Sequence, residues 1–245
     1  MNAIRKITEV FLDIIWPPAC PVCGDSIPRG QDICVPCATL LSAPVNRCIL
    51  CGAELLDHSD QHTCDPLPAH TSCVIIASDY EDSQHAIHAF KYRSNTVVGE
   101  FLAERLAMAV SEHERADDIS LVIPVPIHRA RQRERGYNQA ELPATSAAKM
   151  LDIPMRTDLL VRTRDTGPQV GLDAGGRRRN VSGAFEVSDA VIVAGLTILL
   201  VDDVITTGAT MSECADVLLQ AGAESVIAAA IARPRPSMRP ESATV

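Results

Sequence analysis

Leu199-Leu200-Val201-Asp202-Asp203-Val204-Ile205-Thr206-Thr207-Gly208-Ala209-Thr210 is the stretch that decides how this chain folds. An unbroken apolar run of this kind reads as a strand buried on both faces, the signature of a parallel sheet. The strand is read over Leu196 to Val201, a helix over Ala209 to Ala221 and a further strand over Ser225 to Ile231, which together form one βαβ unit. In open α/β sheets ligands bind beyond the carboxyl ends of the strands. Backbone N–H groups at a helix start favour an anion; Thr206, Thr207 and Thr210 add hydroxyl donors, and Gly208 lets the backbone come close. That combination suits a terminal phosphate. Asp202 and Asp203 are poor phosphate ligands but can accept hydrogen bonds from vicinal hydroxyls. A phosphate beside a diol describes a ribose 5-phosphate. The bland alternative is an Asp pair and a Thr-rich turn capping an ordinary helix; the complete ordered string is what makes the reading specific. It is not a Walker A loop, because no Gly-Lys-Ser/Thr occurs.

Working outward, Cys73 to Ala77 reads as a strand, Asp82 to Phe90 as a short helix and Gly99 to Glu112 as a longer one with Phe101, Leu102, Leu106 and Val110 inward. Ile119 to Val125 is a β-branched run followed by a polar stretch, Pro126 to Gly136, and a helical pattern near Glu141 to Met150. A further strand is placed near Pro154 to Val161. Arg162 to Gly183 is long and polar with no apolar period, which suggests a functional lid or a disordered loop. The fold class is therefore α/β, a parallel sheet with helices on both faces.

The 245 residues allow one medium domain and something smaller. Hydrophobic residues reach 47% but aromatics only 3%, so the core must be built from Ala, Val, Ile and Leu. A net charge of −9 argues against a surface that coats nucleic acid throughout. Yet the span from Arg129 to Arg179 holds ten Arg and one Lys against six acids, a local excess that suggests an anion site.

Eight of nine cysteines fall between Cys20 and Cys73. The first apolar stretch, Ile4 to Trp16, contains Arg5, Lys6, Glu9 and Asp13 and has no cleavage site, so export is not expected and a cytoplasmic location with reduced thiols is. No apolar run reaches the roughly 18 residues of a membrane span. Residues 1–17 read as an amphipathic helix that packs on the rest of the protein, with a membrane surface as the alternative. Cys20, Cys23, Cys34 and Cys37 form two C-x-x-C knuckles, the spacing of a closed, structural zinc site. Cys48 and Cys51 form a third pair with no intact fourth; a second zinc needs Cys64 plus one of His58, His62, Asp65 or Cys73. A redox reading is disfavoured because no C-x-x-C follows a strand and opens a helix. Cys214 reads as a core thiol. The expected division is residues 18–73 as a zinc module without its own apolar core, 74–234 as the α/β domain and 235–245 as a loose tail.

The chain resembles the ComF family of phosphoribosyltransferase-like competence proteins. The likeness rests on the knuckles, Lys91-Tyr92, Pro124-Val125-Pro126, Arg135-Gly136-Tyr137-Asn138-Gln139, Pro168-Gln169, Arg178-Arg179-Asn180-Val181 and the closing string. The resemblance implies a type I phosphoribosyltransferase fold that binds phosphoribosyl pyrophosphate (PRPP). Asp202 and Asp203 would hold the ribose hydroxyls and Thr206 to Thr210 the 5-phosphate. His128 and Arg129, with Arg133 and Arg135, would face pyrophosphate; a solvated basic turn is the alternative. Gln169, Arg178 and Arg179 would reach the substrate from the lid, with Mg²⁺ accompanying PRPP. Lys91 and Tyr92 are either an anion contact or a helix end. Three roles follow: transfer of the phosphoribosyl group to an unspecified acceptor, a part in DNA uptake with single-stranded DNA or competence proteins as partners, or non-catalytic sensing of PRPP. Leu142-Pro143 and Asp173-Ala174-Gly175-Gly176 depart from the family pattern.

Overall fold

The computed structural model describes residues 18–42, 47–55, 64, 68–93, 96–166 and 173–235. The expectations for residues 1–17, for Gln169 and the middle of the lid, for His58, His62 and Asp65, and for the tail beyond 235 lie outside those residues.

A short helix, α1 (Val35–Ser42), belongs to the cysteine-rich segment. The α/β domain then runs β1 (Cys73–Asp79), α2 (Tyr80–Arg93), α3 (Thr96–Ser111), β2 (Leu121–Pro124), α4 (Arg129–Arg135), α5 (Glu141–Leu151), β3 (Leu160–Arg162) and α6 (Ala174–Val181). It continues through β4 (Phe185–Val187), α7 (Ala190–Val193), β5 (Thr197–Val204), α8 (Ala209–Gln220) and β6 (Ser225–Arg233). Four strands pair in the order β1-β6-β5-β2, all parallel, while β3 and β4 form a separate antiparallel pair.

The apolar run in β5 is explained by its place at the centre of this sheet, where strand residues alternate between two buried faces. Leu199 and Val201 join Ile75, Val122 and Ile227 under α3 and α5. Ile198 and Leu200 join Ile123 and Val226 under α8, through Met211, Cys214 and Leu218. Burying one such aliphatic side chain stabilises the fold by roughly 1.5–3 kcal/mol. Aromatics are few in this core, where Phe90 and Phe185 are buried, and alanines fill much of the rest: Ala103 and Ala107 of α3 and Ala144 and Ala147 of α5 are fully buried between the two helices. Pro143 falls in the first turn of α5, where no intrahelical donor is lost.

Two stretches read as loops contain helices. Within Pro126 to Gly136, α4 forms because His128 caps it, its ring Nδ1 accepting from Ala130 N–H at 3.3 Å, and Gly136 closes it at φ 83°. Within Arg162 to Gly183, α6 forms behind Asp173, whose Oδ1 accepts from Gly176 N–H at 2.6 Å. Neither helix has an apolar stripe, so periodicity could not reveal them, whereas capping chemistry could.

Among the described residues, buried apolar side chains of the cysteine-rich segment belong to the core of the α/β domain. Cys20, Ile27, Ile33, Cys34, Cys37 and Leu41 are buried in the same cluster as Ile87 and Phe90 of α2. Its second half seats on β1: a Cβ at Gly52, which has φ 68°, would lie 2.6 Å from Ile76 Cγ1 and 3.0 Å from the Val74 carbonyl. Arg47 donates to Gly52 O at 3.1 Å and to Asp79 Oδ1 at 3.0 Å, and Arg233 donates to Cys51 O. Arg235, expected to open a loose tail, is instead paired with Asp79 at 3.3 Å and with Asp82 at 2.5 Å.

Gly52→Ala is expected to cost about 1–3 kcal/mol from the left-handed backbone alone, and more from the contact with β1. Gly24, with φ 85° and nothing within 4 Å of the place a Cβ would take, is the control that bears the backbone strain without the clash. Thermal melts of Gly52→Ala and Gly24→Ala should differ clearly; equal melting temperatures would remove the proposed seat on β1.

Candidate functional site

β5 extends to Val204, so Asp202 and Asp203 are still strand residues when the sheet ends. Their backbone is fixed by β6, with Asp202 opposite Ala230 and Val204 opposite Ala232. After Ile205, whose N–H reaches Ala232 O at 3.0 Å, the chain turns through Thr206 and Thr207 to Gly208. Gly208 has φ 73° and serves as the N-cap of α8 without a side chain, which leaves the helix start open to an anion.

These residues line a cavity of about 270 Å³ together with Lys91, Arg131, Asn138, Gln139 and Arg162. Lys91 Nζ lies 2.8 Å from Asp203 Oδ2. Asp202 Oδ1 accepts from the Asp203 N–H at 2.8 Å. Burial, followed by the charge of Asp203, pushes the Asp202 carboxyl up to about 7, although Lys91 and Arg162 pull the other way. Arg162 is itself lowered by burial and by the like charge of Arg131. Its guanidinium stacks 5.3 Å from the centre of the Phe185 ring and donates to Thr166 Oγ1, while Arg131 donates to Thr166 O at 3.1 Å. Arg177 of α6 donates to Thr206 Oγ1 at 3.1 Å. A pair of carboxylates, a hydroxyl-lined anion turn and three cations thus surround one cavity.

Asp202, Asp203, Thr206, Thr207, Gly208, Ala209 and Thr210 all line that one cavity. His128 and Arg129 line a neighbouring cavity of about 440 Å³ with Glu141 and Thr157, and the two cavities share Pro126, Ile127, Asn138 and Arg162. Burial raises the Glu141 carboxyl above its ordinary value. Arg178 and Arg179 line a third cavity of about 410 Å³ with His70, Ser212 and Glu213, which shares Thr207 and Ala209 with the carboxylate-bearing cavity but not the carboxylates themselves.

In the cysteine-rich segment, the sulfurs of Cys20, Cys23, Cys34 and Cys37 all lie within 4.8 Å of one another. Four thiolates about 2.3 Å from one tetrahedral zinc would be spaced by about 3.8 Å, and Cys23 and Cys34 stand 3.6 Å apart. The donor set therefore fits zinc, with backbone N–H groups of Cys34 and Cys37 directed at sulfur. Burial raises the Cys20 thiol, yet the N–H groups of Cys34, Cys23 and Val22 outweigh it and bring the pKa down to about 6. Cys48, Cys51 and Cys64 form a second group, with Cys48 and Cys64 sulfurs 3.4 Å apart. Cys73 does not join it: it opens β1, buried in the sheet core.

The pattern described as a phosphoribosyl transferase domain matches residues 137–245, and a double zinc ribbon domain matches residues 11–67. Competence protein F of Haemophilus influenzae is 35% identical over 193 residues, 76% of this chain and 84% of that protein. The chain belongs to the competence protein F family. Within it, the DNA utilization protein YhgH of Salmonella typhimurium is 31% identical over 199 residues, covering 79% and 87% of the two chains. Purine phosphoribosyltransferase from Pyrococcus horikoshii is 20% identical, over 58% of this chain and 80% of that one, with a TM-score of 0.36. The fold is that of a type I phosphoribosyltransferase joined to a zinc ribbon, and no described helix is long and apolar enough to cross a membrane.

Seen as a ComF protein, the chain directs at its cavity several residues that sequence reasoning passed over. Arg131 and Arg177 sit in runs of arginines whose members look alike in sequence; α4 and α6 turn these inward and leave Arg129, Arg133, Arg178 and Arg179 exposed. Arg162 ends a short strand, β3, that periodicity only approximated. Asn138, quoted as part of a motif, has a positioning role: it donates to Val125 O at 3.0 Å and accepts from Ala140 N–H at 3.2 Å, tying the start of α5 to the end of β2.

Metal analysis of reduced protein should find zinc on both cysteine groups, and Cys37→Ser should remove the zinc of the first group alone. Because metal binding here is also folding free energy, chelation should expose Ile33 and Leu41 and raise protease sensitivity before residue 43. A chelated protein that remains as resistant as the loaded one would refute an ordering role for the metal.

Proposed function

We propose that this chain binds PRPP, with Asp202 and Asp203 accepting from the ribose 2- and 3-hydroxyls and Thr206 to Thr210 holding the 5-phosphate. The observation that supports this most directly is the single cavity in which a strand-end carboxylate pair faces an uncapped helix start. Arg131 and Arg162 are suited to pyrophosphate oxygens, since guanidinium binds them through a rigid fork. His128 and Arg129 are assigned to the same anion from the adjoining cavity. Mg²⁺ would enter on the pyrophosphate; among the described residues only cysteines form a group of three or more potential metal ligands. Gln169, Arg178 and Arg179 are assigned to the moving side of the site.

The reaction supported by this arrangement is phosphoribosyl transfer, in which the bond from the ribose anomeric carbon to pyrophosphate breaks and a bond to an acceptor forms. The carboxylates would hold the ribose while positive charge develops on the ring, and the arginines would take the charge of the leaving pyrophosphate. The biological setting we infer is DNA uptake during natural transformation in the cytoplasm, supported by relatives named competence protein F and DNA utilization protein. The division at Cys73, with the ribbon over 18–73 and the transferase domain over 74–234, is part of this proposal.

A second reading has its own support. Arg129 and Arg133 line an open hollow with Gln132, and exposed arginines of this kind suit the phosphates of single-stranded DNA. Contacts of that type give affinity without sequence choice and weaken steeply with salt.

Calorimetry with PRPP and Mg²⁺ tests the first reading. Asp202→Asn with Asp203→Asn removes charge-assisted hydrogen bonds worth roughly 1.5–3 kcal/mol each, so binding should weaken at least about tenfold. Equal heats for both proteins would sink the diol assignment. For the second reading, Arg129→Ala with Arg133→Ala should lower single-stranded DNA affinity and reduce its salt slope by about one or two; a slope unchanged from wild type counts against it.

A further inference from the structure

Lys91 is the one lysine among the groups lining the candidate site, and its sequence context allows either an anion contact or a plain helix end. The structure pairs it with a carboxylate, Asp203, at 2.8 Å, with the two side chains 21% and 15% exposed. Lys91 lies in the last turn of α2, and that turn is fixed from across the site. The Tyr137 hydroxyl donates to Phe90 O at 2.8 Å, and the two rings stand 6.1 Å apart. A Cβ on Gly99 would come within 2.7 Å of the Phe90 ring, so α3 presses on the same residue. Tyr137 thus holds the carbonyl of the residue next to Lys91, while its neighbour Asn138 ties α5 to β2.

We propose that Lys91 is the counter-ion that favours the ionised form of the Asp202–Asp203 pair, the form that receives the ribose hydroxyls, and that Tyr137 is a positioning residue acting through Phe90 to hold Lys91 there. This rests on the assignment of the pair to the ribose. The physical need is clear: two adjacent carboxylates at the closed end of a sheet disfavour each other's charge. The charged and titratable groups facing the pair are Lys91 from α2, Arg131 from α4, Arg162 from β3 and the Cys214 thiol of α8 beneath Asp202. Arg162 is stacked on Phe185 and Arg131 is bonded to Thr166, so both are held by groups other than the carboxylates. Lys91 is the cation in direct contact with the pair, through its ion pair with Asp203. A hydroxyl donates to a carboxylate and not to its protonated form in the same way, so ribose binding should demand the ionised pair.

The test is the pH dependence of ribose 5-phosphate binding to the full, zinc-loaded chain, read against inorganic phosphate, which shares the phosphate titration but lacks the diol. With the carboxyl midpoint near 7, wild-type affinity for ribose 5-phosphate relative to phosphate should fall about tenfold from pH 8 to pH 6. An opposite charge at this range moves a carboxyl by about one to three units, so Lys91→Met should shift that midpoint upward by about a unit or more. Lys91→Arg should restore the wild-type midpoint, and Tyr137→Phe should fall between wild type and Lys91→Met. A merely structural role would lower affinity equally at all pH values; a Lys91→Met midpoint equal to wild type would overturn the proposal. If wild type binds no ribose 5-phosphate, the ribose assignment fails by itself. Carbon-13 NMR titration of the aspartate carboxyls still judges Lys91, since an unmoved pair in Lys91→Met denies its role as counter-ion.

Discussion

Two carboxylates placed side by side at the end of a buried parallel strand are the constraint around which this molecule is arranged. Asp202 and Asp203 are fixed by the β5–β6 ladder, so they cannot retreat from each other into solvent without unpairing the centre of the sheet. An unpaired buried charge costs several kcal/mol. Cations therefore have to be delivered by other elements: Lys91 from the end of α2, Arg131 from α4 and Arg162 from β3. Each delivering element is in turn anchored: Tyr137 donates to Phe90 O in α2, Arg131 of α4 donates to Thr166 O, and Arg162 of β3 stacks over Phe185.

The zinc ribbon joins the same framework at the opposite end of α2. Asp79, the last residue of β1, is almost fully buried and receives Arg47 from the ribbon and Arg235 from beyond β6. The nearby Glu54 carboxyl is raised, first by its hydrogen bond with Asp79 and then by burial, as expected where acids share too little cation. Ser83, in the first turn of α2, donates to Asp79 O at 2.8 Å, and the far end of that helix presents Lys91. A ribbon ordered by metal is thus mechanically continuous with the helix that serves the carboxylates. This also explains why so few apolar residues suffice in the ribbon: its Ile27, Ile33 and Leu41 complete the core of the larger domain and need not form one of their own.

Legibility in the sequence followed the strength of each local code. The βαβ unit around Leu199 to Thr210 and the knuckle cysteines were legible because continuous apolar strands and C-x-x-C spacing each have few other meanings. Helices α4 and α6 were not, since Arg-rich segments without an apolar face give no period; His128 and Asp173 as caps were the available signals. The direction of individual arginines was beyond reach. Arg177, Arg178 and Arg179 are identical in type and consecutive, yet only Arg177 meets Thr206, because successive helix positions point about 100° apart. The closeness of Lys91 to Asp203, 112 positions later in the chain, depends on β1 and β5 flanking β6, a strand order that no local pattern specifies.

That sorting of arginines gives the charge distribution its meaning. A chain with net charge −9 concentrates its cations between Arg129 and Arg179, and the fold divides them by solvation. Arg131, Arg162 and Arg177 are at least partly buried and hydrogen-bonded, where a low dielectric makes them strong partners for a small ligand and insensitive to salt. Arg129, Arg133, Arg178 and Arg179 remain exposed, where salt screens them over about 8–10 Å and any polyanion they attract is held loosely. On the proposed reading, one basic segment would supply two different kinds of anion recognition. The inner set lines the carboxylate-bearing cavity or bonds its wall at Thr206, and the outer set lines the neighbouring hollows, where salt would tune whatever it attracts.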